Sequence, residues 1–85
     1  MDISTKNIEL STEFSKYIFE HPELEKSIPE DATIVLLPDY DKELYENNLT
    51  LGKEKEKNGE KVFYVRIKQI RPRSISRIEG ISIGI

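Results

Sequence analysis

The chain contains no cysteine, no tryptophan, one histidine and one methionine. Without cysteine there is neither a disulfide nor a thiolate metal site, so a small core must hold by packing alone. His21 is the only imidazole. A zinc centre would therefore lack its usual nitrogen and sulfur ligands, and nothing around His21 makes a nucleophile–base–orienter set. No apolar run approaches the roughly 18 residues that span a bilayer. The basic-then-apolar pattern of a secretory signal is missing from the first residues. These absences lead to the expectation of a soluble, cytoplasmic protein with no membrane association, no metal and no cofactor.

What is present is mostly charge and isoleucine. Charged residues make up 34% of the 85 positions. That length allows one domain, residues 1–85. A chain of this size buries only about 60–65% of the surface that its unfolded form exposes, so it is marginal as a monomer. Charge is unevenly placed. Residues 1–60 carry 15 acids and 7 bases, a net of −8, whereas residues 61–85 carry 6 bases and only Glu79 as an acid, a net of +5. Either the two halves face each other within the fold or across a dimer, or the basic part meets an anionic partner. The richness in Lys, Glu and Ile is of the kind found in thermophilic proteins.

One run organises the rest: Ala32-Thr33-Ile34-Val35-Leu36-Leu37, stopped by Pro38-Asp39. It reads as a strand apolar on both faces, which calls for cover on both sides, as in parallel α/β sheets. Before it, Leu10, Phe14, Tyr17 and Ile18 recur at helical spacing. Ser4 is the expected N-cap, with Ile3 and Ile8 as a hydrophobic staple. His21-Pro22 ends that helix near Glu20 and opens a short helical piece at Pro22; His21 itself is expected to cap or hydrogen-bond. After the strand, a helix is expected over roughly residues 41–57, capped by Asp39 or Asp41. Leu44, Tyr45, Asn48, Leu49, Leu51 and Gly52 make its inner face. Gly52 admits a close approach to a strand, and Asn58-Gly59 stops the helix. At least one of Asn47 and Asn48 should approach the apolar stripe, either to hydrogen-bond to the Pro38 loop or across a dimer or, the favoured reading, at the stripe's wet margin. Residues 61–70 read as a second strand, with Phe63, Val65 and Ile67 on an apolar face and Val62, Tyr64, Arg66 and Lys68 on a mixed one. Ile81-Ser82-Ile83-Gly84-Ile85 alternates with period two and reads as a third, edge strand.

The expected fold is therefore α/β: a small three-layer domain with N-terminal helices, then a β-α-β parallel unit and a C-terminal edge strand. Three strands with open edges are few for an independent domain. A homo-oligomer, joined through the sheet edge or an open sheet face, is the expected state.

Ligands of open α/β sheets sit outside the carboxyl ends of the strands. Here that position is flanked by Asp39, Tyr40 and Asp41 in one loop and by Arg71-Pro72-Arg73-Ser74 in the other. The arginines are suited to a phosphate or carboxylate. The acids already occupy the positive end of the following helix, and the loop has no glycine cradle for a nucleotide phosphate. The plainer expectation is that salt bridges join the two loops, a common and energetically slight arrangement. The basic stretch 61–77 is the nucleic-acid candidate: Tyr64 to stack a base, and Arg66, Lys68, Arg71 and Arg73 to meet phosphates. No catalytic cluster is visible, and Ser11, Ser15, Ser27, Ser74 and Ser76 lie in no nucleophile motif. The leading functional expectation is a non-enzymatic homo-oligomeric interaction or regulatory module; the alternative is binding of nucleic acid or a small anion.

The order of these pieces carries a resemblance. Glu13-Phe14-Ser15-Lys16-Tyr17, Glu20-His21-Pro22-Glu23, Ile28-Pro29, Val35-Leu36-Leu37-Pro38, Asn48-Leu49 and Val65-Arg66-Ile67 resemble a family of small uncharacterised prokaryotic proteins, classed as a domain of unknown function. The resemblance spans nearly the whole chain. It implies a single-domain, cytoplasmic, prokaryotic protein and brings no catalytic residues to carry over.

Overall fold

A computed structural model describes residues 2–71, 78 and 80–84. The chain runs as helix α1 (Ile3–Glu20), a 3-10 helix (Pro22–Ser27), strand β1 (Thr33–Pro38), helix α2 (Lys42–Lys57) and strand β2 (Val62–Ile67). β1 and β2 pair in parallel, with Thr33 opposite Val62 and Pro38 opposite Ile67. This is the expected β-α-β unit, with α2 as the connection that parallel pairing requires.

Each helix is set by its ends. Asp2, not Ser4, caps α1: its Oδ1 accepts the Thr5 N–H at 2.7 Å. A carboxylate is a strong acceptor at the positive end of a helix, and the Thr5 N–H holds the Asp2 carboxyl below its ordinary pKa. Ile3 is thereby already inside the helix and Ile8 points to solvent, so the expected staple does not form. At the other end the His21 N–H donates to the carbonyls of Tyr17 and Ile18, at 2.9 and 3.1 Å. The His21 Nδ1 lies 2.9 Å from the Tyr17 carbonyl, which it meets as an N–H donor, and the ring stacks on Tyr17 at 4.1 Å. The histidine is a helix stop. α2 starts at Asp41, whose Oδ1 accepts the Leu44 N–H at 3.1 Å, and ends where Gly59 takes φ +87°, a conformation that costs glycine little.

The pleat assigns faces. Leu10 and Phe14 of α1 pack with Leu36, Val65 and Ile67, together with Leu44. Gly52 of α2 lies against the ring of Tyr64. Paired residues share a face and neighbours alternate, so α1 covers the side of Leu36 and Val65, and α2 the side of Val35 and Tyr64. Three layers result, and the buried part of β1 is its second half, Val35 to Pro38. A Cβ at position 52 would lie 2.6 Å from Tyr64 Cε1; only glycine lets α2 sit this close to that ring.

Two expectations change. Asn48 is not at a wet margin: it is 5% exposed. Its Nδ2 donates to the Leu36 carbonyl at 2.8 Å and to Asn7 Oδ1 at 2.9 Å, while Asn7 Nδ2 donates back at 3.1 Å. Helix periodicity brings position 48 inward whatever residue it carries, and a strand carbonyl waiting there makes asparagine fit. The second change concerns the expected C-terminal edge strand. The sheet has two strands, and residues 81–84 form no strand. Alternation supplies strand propensity but not a partner, and Ile81 and Ile83 stand 70% and 88% exposed. Residue 85 lies outside the described residues, as do Pro72, Arg73 and Ser74 of the expected second loop.

Candidate functional site

The carboxyl ends of the parallel strands deliver two short segments to one end of the sheet: Asp39-Tyr40-Asp41 after β1, and residues 68–71 after β2. The acids of the first are not held by the second. Arg66 reaches from β2 to grip Asp39 with two parallel bonds, Nε to Oδ1 and Nη2 to Oδ2, both 3.1 Å. This forked geometry is what a guanidinium gives a carboxylate, and it holds the Arg66 pKa above its ordinary value. Asp41 takes Lys6 Nζ from α1 at 2.9 Å. That bond, and then the Leu44 N–H, lower the Asp41 pKa. Burial raises the Tyr40 hydroxyl, helped by the nearby carboxylates of Asp41 and Glu9. Among the described residues, Asp39 is held from β2 and Asp41 from α1; Arg73 of the expected second loop lies outside them.

Of the candidate residues, Arg66, Lys68 and Arg71 line one groove, and Tyr64 lies outside it. The Tyr64 hydroxyl donates to Glu56 of α2, which pushes its pKa up to about 12. One edge of its ring is against Gly52, so the ring is a packing element of the α2 layer. Arg66 is 67% exposed at its side chain but occupied by Asp39. Lys68 and Arg71 are exposed and share a groove of about 820 Å³ with α1. Arg73 lies outside the described residues.

That groove is amphipathic. Leu10, Phe14, Ile67 and Ile70 form its apolar lining, with Glu9, Glu13 and Glu20 on the α1 side and Lys68 and Arg71 opposite. No β1 residue lines it, so it lies on the β2 side of the sheet. A second groove, of about 600 Å³, is lined by Phe14, Ile18, Phe19, Ile28, Pro29 and Ile34. Phe19, at its rim, is 87% exposed. The helical stripe of Leu10, Phe14, Tyr17 and Ile18 leaves out Phe19, and an aromatic lying off the buried stripe was the available signal for it. Among the described residues, no three His, Cys, Asp or Glu side chains gather in a way that could hold a metal ion, and no helix is long and apolar enough to cross a membrane.

The ladder leaves the sheet edges unequal. The Thr33 N–H donates to Lys61 O at 2.8 Å and the Asp39 N–H to Ile67 O at 2.9 Å. In a parallel ladder alternate residues face the partner. Phe63, Val65 and Ile67 therefore turn their backbone groups to β1, while Val62, Tyr64 and Arg66 turn theirs outward. The outer edge of β1 is closed at its carboxyl end: Asn48 takes the Leu36 carbonyl, Pro38 has no N–H, and its carbonyl accepts the Asp41 N–H at 3.2 Å. No such cover protects β2 among the described residues.

These features define a small mixed α/β domain built on a two-stranded parallel sheet. The chain matches the family described as "Family of unknown function (DUF5647)" over residues 2–81, and it belongs to that family. Neither a curated protein nor a solved structure matches it.

Proposed function

We propose that this protein is a cytoplasmic, non-enzymatic interaction or regulatory module that works as a homo-oligomer. The observation that carries the reading is surface. The chain exposes 7193 Å², where a compact monomer of 9.9 kDa exposes about 5,200 Å². The excess of about 2,000 Å² is on the scale that obligate partners cover. It includes large apolar groups, among them Phe19, Ile81 and Ile83. Analytical ultracentrifugation of the full chain at micromolar concentration tests it: a dimer or higher species is expected, and a monomer refutes the proposal.

The competing reading, an anion or nucleic-acid binder, draws its support from Lys68 and Arg71 lining one groove. It is weakened by the engagement of Arg66 with Asp39 and of Tyr64 with Glu56, and by Glu9, Glu13 and Glu20 in the same groove. Retention on single-stranded RNA or DNA at low salt, lost as salt rises, would restore it.

A further inference from the structure

We propose that residues 81–84 of one copy add as a strand to the outer edge of β2 in a second copy. The proposal rests on the oligomeric reading above and names the donor and the acceptor. The acceptor is the sheet edge that no described residue covers. Val62, Tyr64 and Arg66 point their backbone N–H and C=O groups away from β1, whereas β1 has two of its three outward carbonyls occupied, at Leu36 and Pro38. An uncovered edge is a template for another strand, and main-chain bonds to such an edge supply affinity without a particular side-chain code.

The donor is equally without a place. Residues 81–84 carry isoleucines in alternation, exposed at Ile81 and Ile83, with no backbone partner among the described residues. Their own sheet is not where they lie. Exchange between two copies would use each donor and each edge once, so the assembly closes as a dimer rather than growing. The surplus surface of about 2,000 Å² per chain is enough for such an interface.

The test is the double variant Ile81→Lys/Ile83→Lys, compared with the unaltered chain by ultracentrifugation and far-ultraviolet circular dichroism. Neither residue belongs to the packed body, so the helical signal should persist while dimer affinity weakens by about a hundredfold or more, the effect of withdrawing two buried isoleucines. A synthetic peptide of residues 78–85, added to the isotope-labelled double variant, should then shift the amide resonances of Val62, Tyr64 and Arg66. A dimer that survives the double substitution overturns strand exchange but leaves the oligomeric module standing. A monomeric unaltered chain overturns both. Peptide-induced shifts confined to the Phe19 and Ile34 groove, or no shifts at all, also refute the β2 edge as acceptor.

Discussion

Replacing Asn48 with leucine isolates one buried polar contact on which three elements depend. The side chain sits between α2, the outer edge of β1 and α1, joined to the Leu36 carbonyl at 2.8 Å and to Asn7 in both directions. Leucine has the same branched shape with bulkier methyl ends and is a slightly better helix former, worth at most about 0.7 kcal/mol. Against that, the buried Leu36 carbonyl loses its side-chain partner, and a buried acceptor left unsatisfied costs about 1–3 kcal/mol. Asn7 is only half-buried and can turn to water, so it adds little. The expected net loss is about 1–2.5 kcal/mol. An 85-residue domain has about 4–13 kcal/mol in total, so the loss is large. It corresponds to a fall in Tm of about 5–20 °C, at about 4–8 °C per kcal/mol for a domain of this size. Urea and thermal melts followed by circular dichroism, at one fixed protein concentration because association shifts apparent stability, give the number. A cycle with Asn7→Ala should show coupling of about 0.5–1.5 kcal/mol between the two asparagines. If Asn48→Leu is as stable as the unaltered chain, the asparagine clamp has no net worth and the account of the closed β1 edge is wrong.

Further outcomes follow from other contacts. Gly52→Ala should destabilise despite alanine's helix advantage of about 1 kcal/mol, because its Cβ would meet the Tyr64 ring at 2.6 Å; in a Tyr64→Val background the same substitution should instead stabilise. Melts of the four species decide this, and destabilisation in both backgrounds would contradict the close approach. Asp41→Ala should cost about 0.5–2 kcal/mol through the lost cap of α2, while Asp41→Asn keeps the cap and loses only the partly exposed Lys6 bridge, a smaller effect; equal losses would count against the cap. Stability should also fall in acid. Asp2, Asp31 and Asp41 all have lowered pKa values, held down by the Thr5 N–H, by Lys61 and by Lys6 respectively. Their contribution is complete above the ordinary carboxylate range near pH 4, and disappears as pH drops through the lowered folded values. A flat urea midpoint between pH 5 and pH 2 would refute these pairings.

Local rules placed every helix and both paired strands. The stop at His21-Pro22, the proline entry to the 3-10 helix, the Asp41 cap and the glycine at 59 are each set by the conformation of one or two residues, so neighbours in the chain suffice to read them. The run from Ala32 to Leu37 is apolar on both faces, and that alone demanded a layer on each side. The same logic located Gly52 as a point of close approach, since a glycine within an apolar stripe is costly unless something needs the room.

Other features depend on what meets what across the fold. Whether Asn48 is wet or buried turns on a strand carbonyl twelve residues earlier and on Asn7, forty-one positions away; no periodicity encodes such a partner. Arg66 and Tyr64 look available in a basic stretch, yet Asp39 and Glu56 already hold them. Which edge of β1 and β2 stays open is set by the parallel register and by where α2 crosses, neither of which composition can supply. The alternation of residues 81–85 reads as strand propensity, but residues 81–84 form no strand, because a strand exists only through its partner's hydrogen bonds. By itself, then, the sequence determined the elements, their order and the two-faced burial of β1, because these follow from short-range sterics and hydrophobic spacing. Only the tertiary structure decided which polar groups are spent inside the fold and which edge is left to pair, because those are settled by contacts between residues far apart in the chain.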